Sequence, residues 1–312
     1  MTETKLNKKT ETARSVRAIA AAALLAFFAV VLSPASAEYF LKGLKLCIFS
    51  LVPVTFPFMI VSDIYYRFGE AERLSVIGRL FGLRGRAVGA LICGALCGFP
   101  IGTKMSTALY EDGELSAKET QRLSAISSLP SVAFVIGAVG ERIFKDVSCG
   151  FLLLFSIWIS TFICAHLFGK TSDILVYSNV ISRQRFDILA TIKSAGTATV
   201  ELCSAVIAFS IPIGFITALP IPEHVLLFIV SPLEITNALS FISQSSNITN
   251  VVKLALCAFT LGFGGICVML QTASYLFSKR LSIVPYLKIK FAVGAISSAI
   301  CPLLYWIKCM FC

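Results

Sequence analysis

Lys104 follows the stretch Gly98-Phe99-Pro100-Ile101-Gly102-Thr103, in which two glycines and a proline interrupt an apolar run that otherwise reads as a membrane span. A helix that stops inside a bilayer leaves amides or carbonyls unpaired, so such a break must face protein or a wet cavity. Glycine lets a solute approach the backbone, and the first turn of the following half-helix carries partial positive charge. An ammonium beside that turn would attract an anion. The competing reading of Lys104 is snorkelling, in which the long side chain carries its charge to the water boundary.

Other polar residues are placed to join it. Gln271 holds the matching place in a second glycine-interrupted run containing Gly264 and Gly265, and its amide both donates and accepts. The stretch from Ser231 to Ser240 puts Glu234, Thr236 and Asn237 in an apolar segment split by Pro232. Glu234 is read as binding a coupling proton or sodium ion, or as pairing with Lys104 in an empty site; the same residues also suit a loop at the membrane surface. Ser127, Ser128, Ser297 and Ser298 complete the candidate set, unless they bond back to their own helices as membrane serines often do. No nucleophile-and-base pair, metal-ligand set or phosphate loop stands out, so the expectation is no enzyme, no catalytic residue, no metal and no cofactor. The two histidines stand apart from the cysteine pairs, and most of the 11 cysteines lie in apolar segments, where a thiol behaves as a small hydrophobe.

The elements that must hold these residues are membrane helices. The 312-residue chain is 57% hydrophobic, with a mean hydropathy of +0.85. Only 14% of its residues are charged, against about 25% in soluble domains. Apolar runs near Ala18–Leu32, Leu46–Ile64, Ala87–Leu109, Val147–Phe168, Leu202–Leu219, Val225–Phe241, Val251–Leu276 and Phe291–Ile307 approach or exceed the roughly 20 residues of a spanning helix. Sustained apolar–polar alternation is absent, which excludes a barrel. The net charge of +10 sits in short basic runs between apolar segments, the mark of cytoplasmic loops rather than of nucleic-acid binding. The first run has two readings, a retained helix or a cleavable signal ending at Ala35-Ser36-Ala37.

The chain also repeats weakly. Gly98 to Leu109 can be laid on Gly265 to Leu276, which matches Lys104 to Gln271; Ala125-Ile126-Ser127-Ser128 recurs as Ala295-Ile296-Ser297-Ser298. Acidic residues from Glu111 to Glu114 follow the first copy, and Lys279-Arg280 follows the second. This predicts that the copies end on opposite sides and run antiparallel, as in inverted-repeat transporters. Leu115–Ser128 and Pro130–Gly140 are read as the two arms of a re-entrant hairpin.

Five stretches carry a family resemblance: those beginning at Gly43 (GLKLCIFSLVPVTFPFMIVSDI), Gly98 (GFPIGTKMSTALYEDGELSAKE), Phe134 (FVIGAVG), Pro232 (PLEITNAL) and Gly262 (GFGGICVMLQTASYL). In that order they resemble the YlbJ-like sporulation integral membrane proteins, which carry nucleoside-recognition, or Gate, domains. The resemblance implies a transport role, with dipicolinate, a small aromatic dianion, as the cargo moved during sporulation. It also keeps open a nucleoside or nucleobase cargo, and a non-transporting factor in membrane assembly.

The resulting expectation is an all-α polytopic membrane protein with two inverted Gate-like repeats, discontinuous helices and re-entrant hairpins. Residues 1–37 form a basic segment and first helix, 38–170 the first repeat, 171–195 a cytoplasmic connector and 196–312 the second repeat. The expected partners are a small anionic solute and membrane lipid, with no nucleic acid and with a homo-oligomer left open. The expected location is the cytoplasmic membrane, or the outer forespore membrane if the host sporulates.

Overall fold

The computed structural model describes residues 21, 23–25, 27–68, 75–83, 85–169 and 187–311, and these are all-helical apart from turns and short connections. The basic segment 1–17 and most of the connector 171–195 lie outside the described residues. The helices are α1 (Pro34–Leu46), α2 (Val52–Phe68), α3 (Ser75–Phe81), α4 (Arg86–Cys97), α5 (Ile101–Glu111), α6 (Ala117–Ser127) and α7 (Val147–Leu167). They continue as α8 (Ile188–Thr217), α9 (Glu223–Val230), α10 (Ile235–Gln244), α11 (Asn250–Phe263), α12 (Gly265–Ser278) and α13 (Val284–Phe311). Two π-helical stretches, Cys47–Leu51 and Phe134–Ile143, join α1 to α2 and stand between α6 and α7.

Val147–Leu167, Ile188–Thr217, Asn250–Ser278 and Val284–Phe311 are long and apolar enough to cross a membrane. Ala23–Val31 and Pro34–Phe49, bent by 72°, make a fifth candidate if counted as one span. Large apolar side chains such as Phe155, Phe228, Phe291 and Trp306 point outward. Contiguous outward apolar surface of this kind needs lipid around it. The chain is an integral membrane protein.

Polar contacts fix which helix ends lie together. Arg86, at the start of α4, bonds Asp112 at 2.9 Å and also Glu114, both just past the end of α5. α4 and α5 are therefore the arms of a hairpin. α9 and α10 form another, because Asn247 beyond α10 donates to Glu223 at the start of α9 at 2.6 Å. At one end of the bundle, Lys279 after α12 pairs with Glu111, and Gln121 of α6 donates to the Ser282 carbonyl at 3.0 Å. At the other end, Lys308 near the end of α13 pairs with Asp146 at 2.7 Å. These will be called the Glu111 end and the Asp146 end.

Four sequence expectations are corrected by this arrangement. Phe99 of the first motif lies about 3.4 Å from where a Cβ on Gly264 would stand, and Glu111 meets Lys279. Gly98–Leu109 and Gly265–Leu276 thus run side by side in the same direction, not antiparallel. The acidic group from Glu111 to Glu114 shares an end with Arg86 and Lys279, to which its carboxylates are drawn, rather than lying on the opposite side. α6 starts beside the start of α13 and the Phe134–Ile143 stretch ends beside Asp146 and Lys308, so the two pieces follow one another along α13. They lie end to end rather than folding back as a hairpin; α13 has 28 residues and is about 42 Å long. Finally, the run Val225–Phe241 is not one helix but α9 and α10, parted at Ser231–Glu234, where Pro232 and the Glu234 cap end one helix and begin the next.

Candidate functional site

The first hairpin turns at Gly98, Phe99 and Pro100. Gly98 takes φ 88°, a left-handed conformation that glycine adopts without strain, and the Phe99–Pro100 bond is cis. Gly98 stands against Ser131, whose amide nitrogen would be 3.0 Å from an added Cβ. This is where α6 has ended and the π-helical stretch has not begun. Gly94 and Gly102, on facing arms, lie so close to Ser127 that a Cβ at either would collide with the serine's carbonyl oxygen.

The second hairpin turns at Ser231–Glu234 and meets the interruption between α11 and α12. Gly264 and Gly265 both take positive φ there, 93° and 70°. The freed amides of the new helix do not point into open space: Ile266 N–H donates to the Pro232 carbonyl at 2.7 Å and Cys267 N–H to the Leu233 carbonyl at 3.0 Å. The first amides of α12 are thus partnered by the hairpin tip. Glu234 is buried and caps α10, its Oε1 accepting from Thr236 N–H at 2.9 Å and its Oε2 from the Asn237 N–H and Nδ2, both at 2.8 Å.

Between these tips lies a cavity of 610 Å³. Of the sequence-selected residues, Gly98, Glu234, Thr236 and Gln271 line it. Pro100 and Asn237 stand one step behind, Asn237 donating to Ser210 Oγ at 3.2 Å. Gly264 and Gly265 form the adjoining break. Gly102, Thr103, Ser127 and Ser128 pack together toward α6, with the Thr103 and Ser128 hydroxyls 3.0 Å apart. Ser127 and Ser297 bond back to Leu123 and Gly294 carbonyls, and Ser297 also to Ala258. Ser298 is exposed and bonds back to Ala295. Lys104 is not part of the cavity wall; its Nζ donates to Ser194 Oγ on α8 at 2.9 Å.

Two cations escaped the sequence reading. Arg142, near the end of the π-helical stretch, lines the cavity and makes no ion pair among the described residues. Lys290 is fully buried on α13, where its Nζ donates to the Ser128 carbonyl at 2.6 Å and lies 5.3 Å from the centre of the Phe99 ring. The apolar run Phe291–Ile307 begins just after Lys290 and so leaves it out, whereas α13 begins at Val284 and carries Lys290 inside. The Asp146 end holds a smaller cavity of 160 Å³, lined by Asp146, Lys253 and Tyr305 among others. There the Lys308 ammonium and the Ser148 hydroxyl hold the Asp146 carboxyl well below the usual carboxylate range.

The chain is similar to the sporulation integral membrane protein YlbJ of Bacillus subtilis, at 28% identity over 124 residues. The match covers 38% of this chain and 30% of that protein, so the chain spans less than a third of its relative in the aligned region. No family model matches the chain, and no solved structure matches it.

Proposed function

We propose that this distant relative of a sporulation membrane protein is a transporter for a small anionic solute with an aromatic or otherwise apolar body. One observation carries the reading. The same 610 Å³ cavity is walled by residues of both hairpin tips (Phe99, Glu234) and of both interrupted crossings (Ser131, Val268). Non-helical backbone at membrane depth is tolerated where it lines a cavity, and secondary transporters bind their cargo at such places. The volume falls within the roughly 300–1,000 Å³ of small-molecule sites. Phe49, Phe99, Phe134 and Leu202 give it apolar walls, and Arg142 supplies the cation. Dipicolinate, the cargo implied by the resemblance, has this chemistry.

The proposed architecture is two Gate-like halves of opposite sense, at a register different from the weak sequence repeat. The first half reads α1–α2, hairpin α4–α5 entering from the Glu111 end, the interrupted crossing α6 to Ile143, then α7. The second reads α8, hairpin α9–α10 entering from the Asp146 end, the interrupted crossing α11–α12, then α13. One parallel supports it: each tip abuts the interruption of the crossing that follows it, Gly98 at Ser131 and Pro232 at Ile266. Gly98, Ser131, Thr236, Gln271 and Arg142 are the proposed solute contacts. Lys104 is proposed as a positioning residue that holds α5 on α8. Neither metal nor cofactor enters the scheme, and no reaction is proposed. The proposed location is the cytoplasmic membrane, or the outer forespore membrane in a spore-forming host.

Purified protein in liposomes, offered a panel of aromatic carboxylates and nucleosides with and without ion gradients, tests this. Uptake of an aromatic carboxylate is expected, competed by dipicolinate and not by uridine. Arg142→Gln should raise the half-saturating concentration about tenfold or more, the worth of one charge-assisted hydrogen bond. Competition by uridine would shift the cargo to a nucleoside. Absence of flux for every solute, with a stable protein partner on purification, would replace transport by an assembly role.

A further inference from the structure

Three interruptions of the helical backbone meet at one ammonium. Lys290 Nζ bonds the Ser128 carbonyl, left behind where α6 stops, at 2.6 Å. It lies 5.3 Å from the centre of the ring of Phe99, the tip residue of the first hairpin. Its Cε passes 3.6 Å from where a Cβ on Gly264 would stand, at the break between α11 and α12. The side chain is completely buried, and it forms no ion pair among the described residues. The titratable groups near it are the Cys164 thiol of α7 and, one turn earlier on its own helix, the Tyr286 phenol. From α6, the first tip and α11 it is faced by the Ser128 carbonyl, the Phe99 ring and Gly264, none of which titrates.

An ammonium with three donors kept from water is costly unless oxygen atoms surround it, and here one carbonyl and one ring face do so. Its hold on both is electrostatic: a charged donor binds a carbonyl about twice as strongly as a neutral one, and a cation is drawn to the ring more strongly than a neutral amine. Loss of the proton therefore loosens the tip from α6 and α13 in a single step. Phe99 also lines the large cavity, so one ring touches both the ammonium and the solute space.

We infer that Lys290 is a proton-binding site whose occupancy locks the α4–α5 tip, and whose emptying frees it to move, which couples protons to the transport cycle proposed above. In that step one Nζ–H bond breaks, the amine keeps the electron pair, and the proton passes to water as the tip lifts. The inference rests on the transport reading for its purpose but not for its test.

The test is hydrogen–deuterium exchange of the full chain in lipid nanodiscs over a pH series, corrected for intrinsic exchange, followed on peptides covering Gly94 to Lys104. In the wild type the tip is expected to be protected at low pH, with protection falling by up to about tenfold per pH unit once release is linked to one proton. Lys290→Met should exchange at the fast limit at every pH, and Lys290→Arg should stay protected throughout. A wild-type tip indifferent to pH, or a pH response retained in either variant, overturns the inference. Should Lys290→Met fail to fold, the Lys290→Arg arm decides by itself. Solute flux with a pH-indifferent tip removes Lys290 and leaves the transporter; a pH-sensitive tip abolished in the variants supports Lys290 even where no flux is found, and then transport alone fails.

Discussion

At the scale of single residues, Gly94 and Gly102 pack closely against Ser127. An added methyl at either glycine would overlap the Ser127 carbonyl oxygen, and backbone cannot swing aside as a side chain can. Gly94→Ala and Gly102→Ala should each destabilise by about 1–3 kcal/mol, the cost of overpacking, read as a lower melting temperature in detergent. Gly137→Ala, whose Cβ would meet nothing within 4 Å, is the control and should melt as the wild type does. Gly98, Glu234, Thr236 and Gln271, which line the cavity, were legible because glycine and polar side chains are conspicuous in apolar runs and because the weak repeat matches Gln271 to Lys104. Sequence reasoning missed Lys290 because a lysine next to a span looks like a flank until the start of the helix is known. Arg142 escaped it too, since nothing in one dimension says that the stretch after Pro130 lines a cavity.

Among the elements, α7 and α13 are joined at their neighbouring ends by Asp146, which caps α7 through Ser148 N–H at 2.9 Å and pairs with Lys308. Its carboxyl is held below the usual range first by Lys308 and then by Ser148. A depressed carboxyl contributes stability that is complete above its ordinary pKa of about 3.9 and is lost as pH falls toward its folded value. The melting temperature of the wild type should therefore drop below about pH 4, while Asp146→Asn loses that acid dependence and matches the wild-type pH profile between about pH 5 and 8. The pair is partly exposed, so its contribution falls in the range of roughly 0–1 kcal/mol seen for solvated ion pairs. Helices were legible as apolar runs, but their directions were not. The acidic residues after α5 were weighed as a sidedness signal, although Asp and Glu contribute little to that rule. Their actual role is to meet Arg86 and Lys279.

For the molecule as a whole, the decisive expectation is sidedness. Glu111→Cys and Lys279→Cys should react with an impermeant maleimide from the same side of the membrane, and Asp146→Cys from the other. The arginines between α2 and α4 predict, by the positive-inside rule, that the side labelling Glu111→Cys is the cytoplasmic one. Labelling of Glu111→Cys and Lys279→Cys from opposite sides would contradict the parallel course of α5 and α12. All-helical membrane character could be read from composition and the length of the apolar runs, whereas the hairpin partners could not, because chance matches between apolar helices outweigh a pairing made through the backbone. That pairing has an evolutionary corollary. The junction at Pro232 and Leu233 is sealed by main-chain carbonyls accepting the Ile266 and Cys267 amides, so most side chains nearby are free to drift without opening the seam.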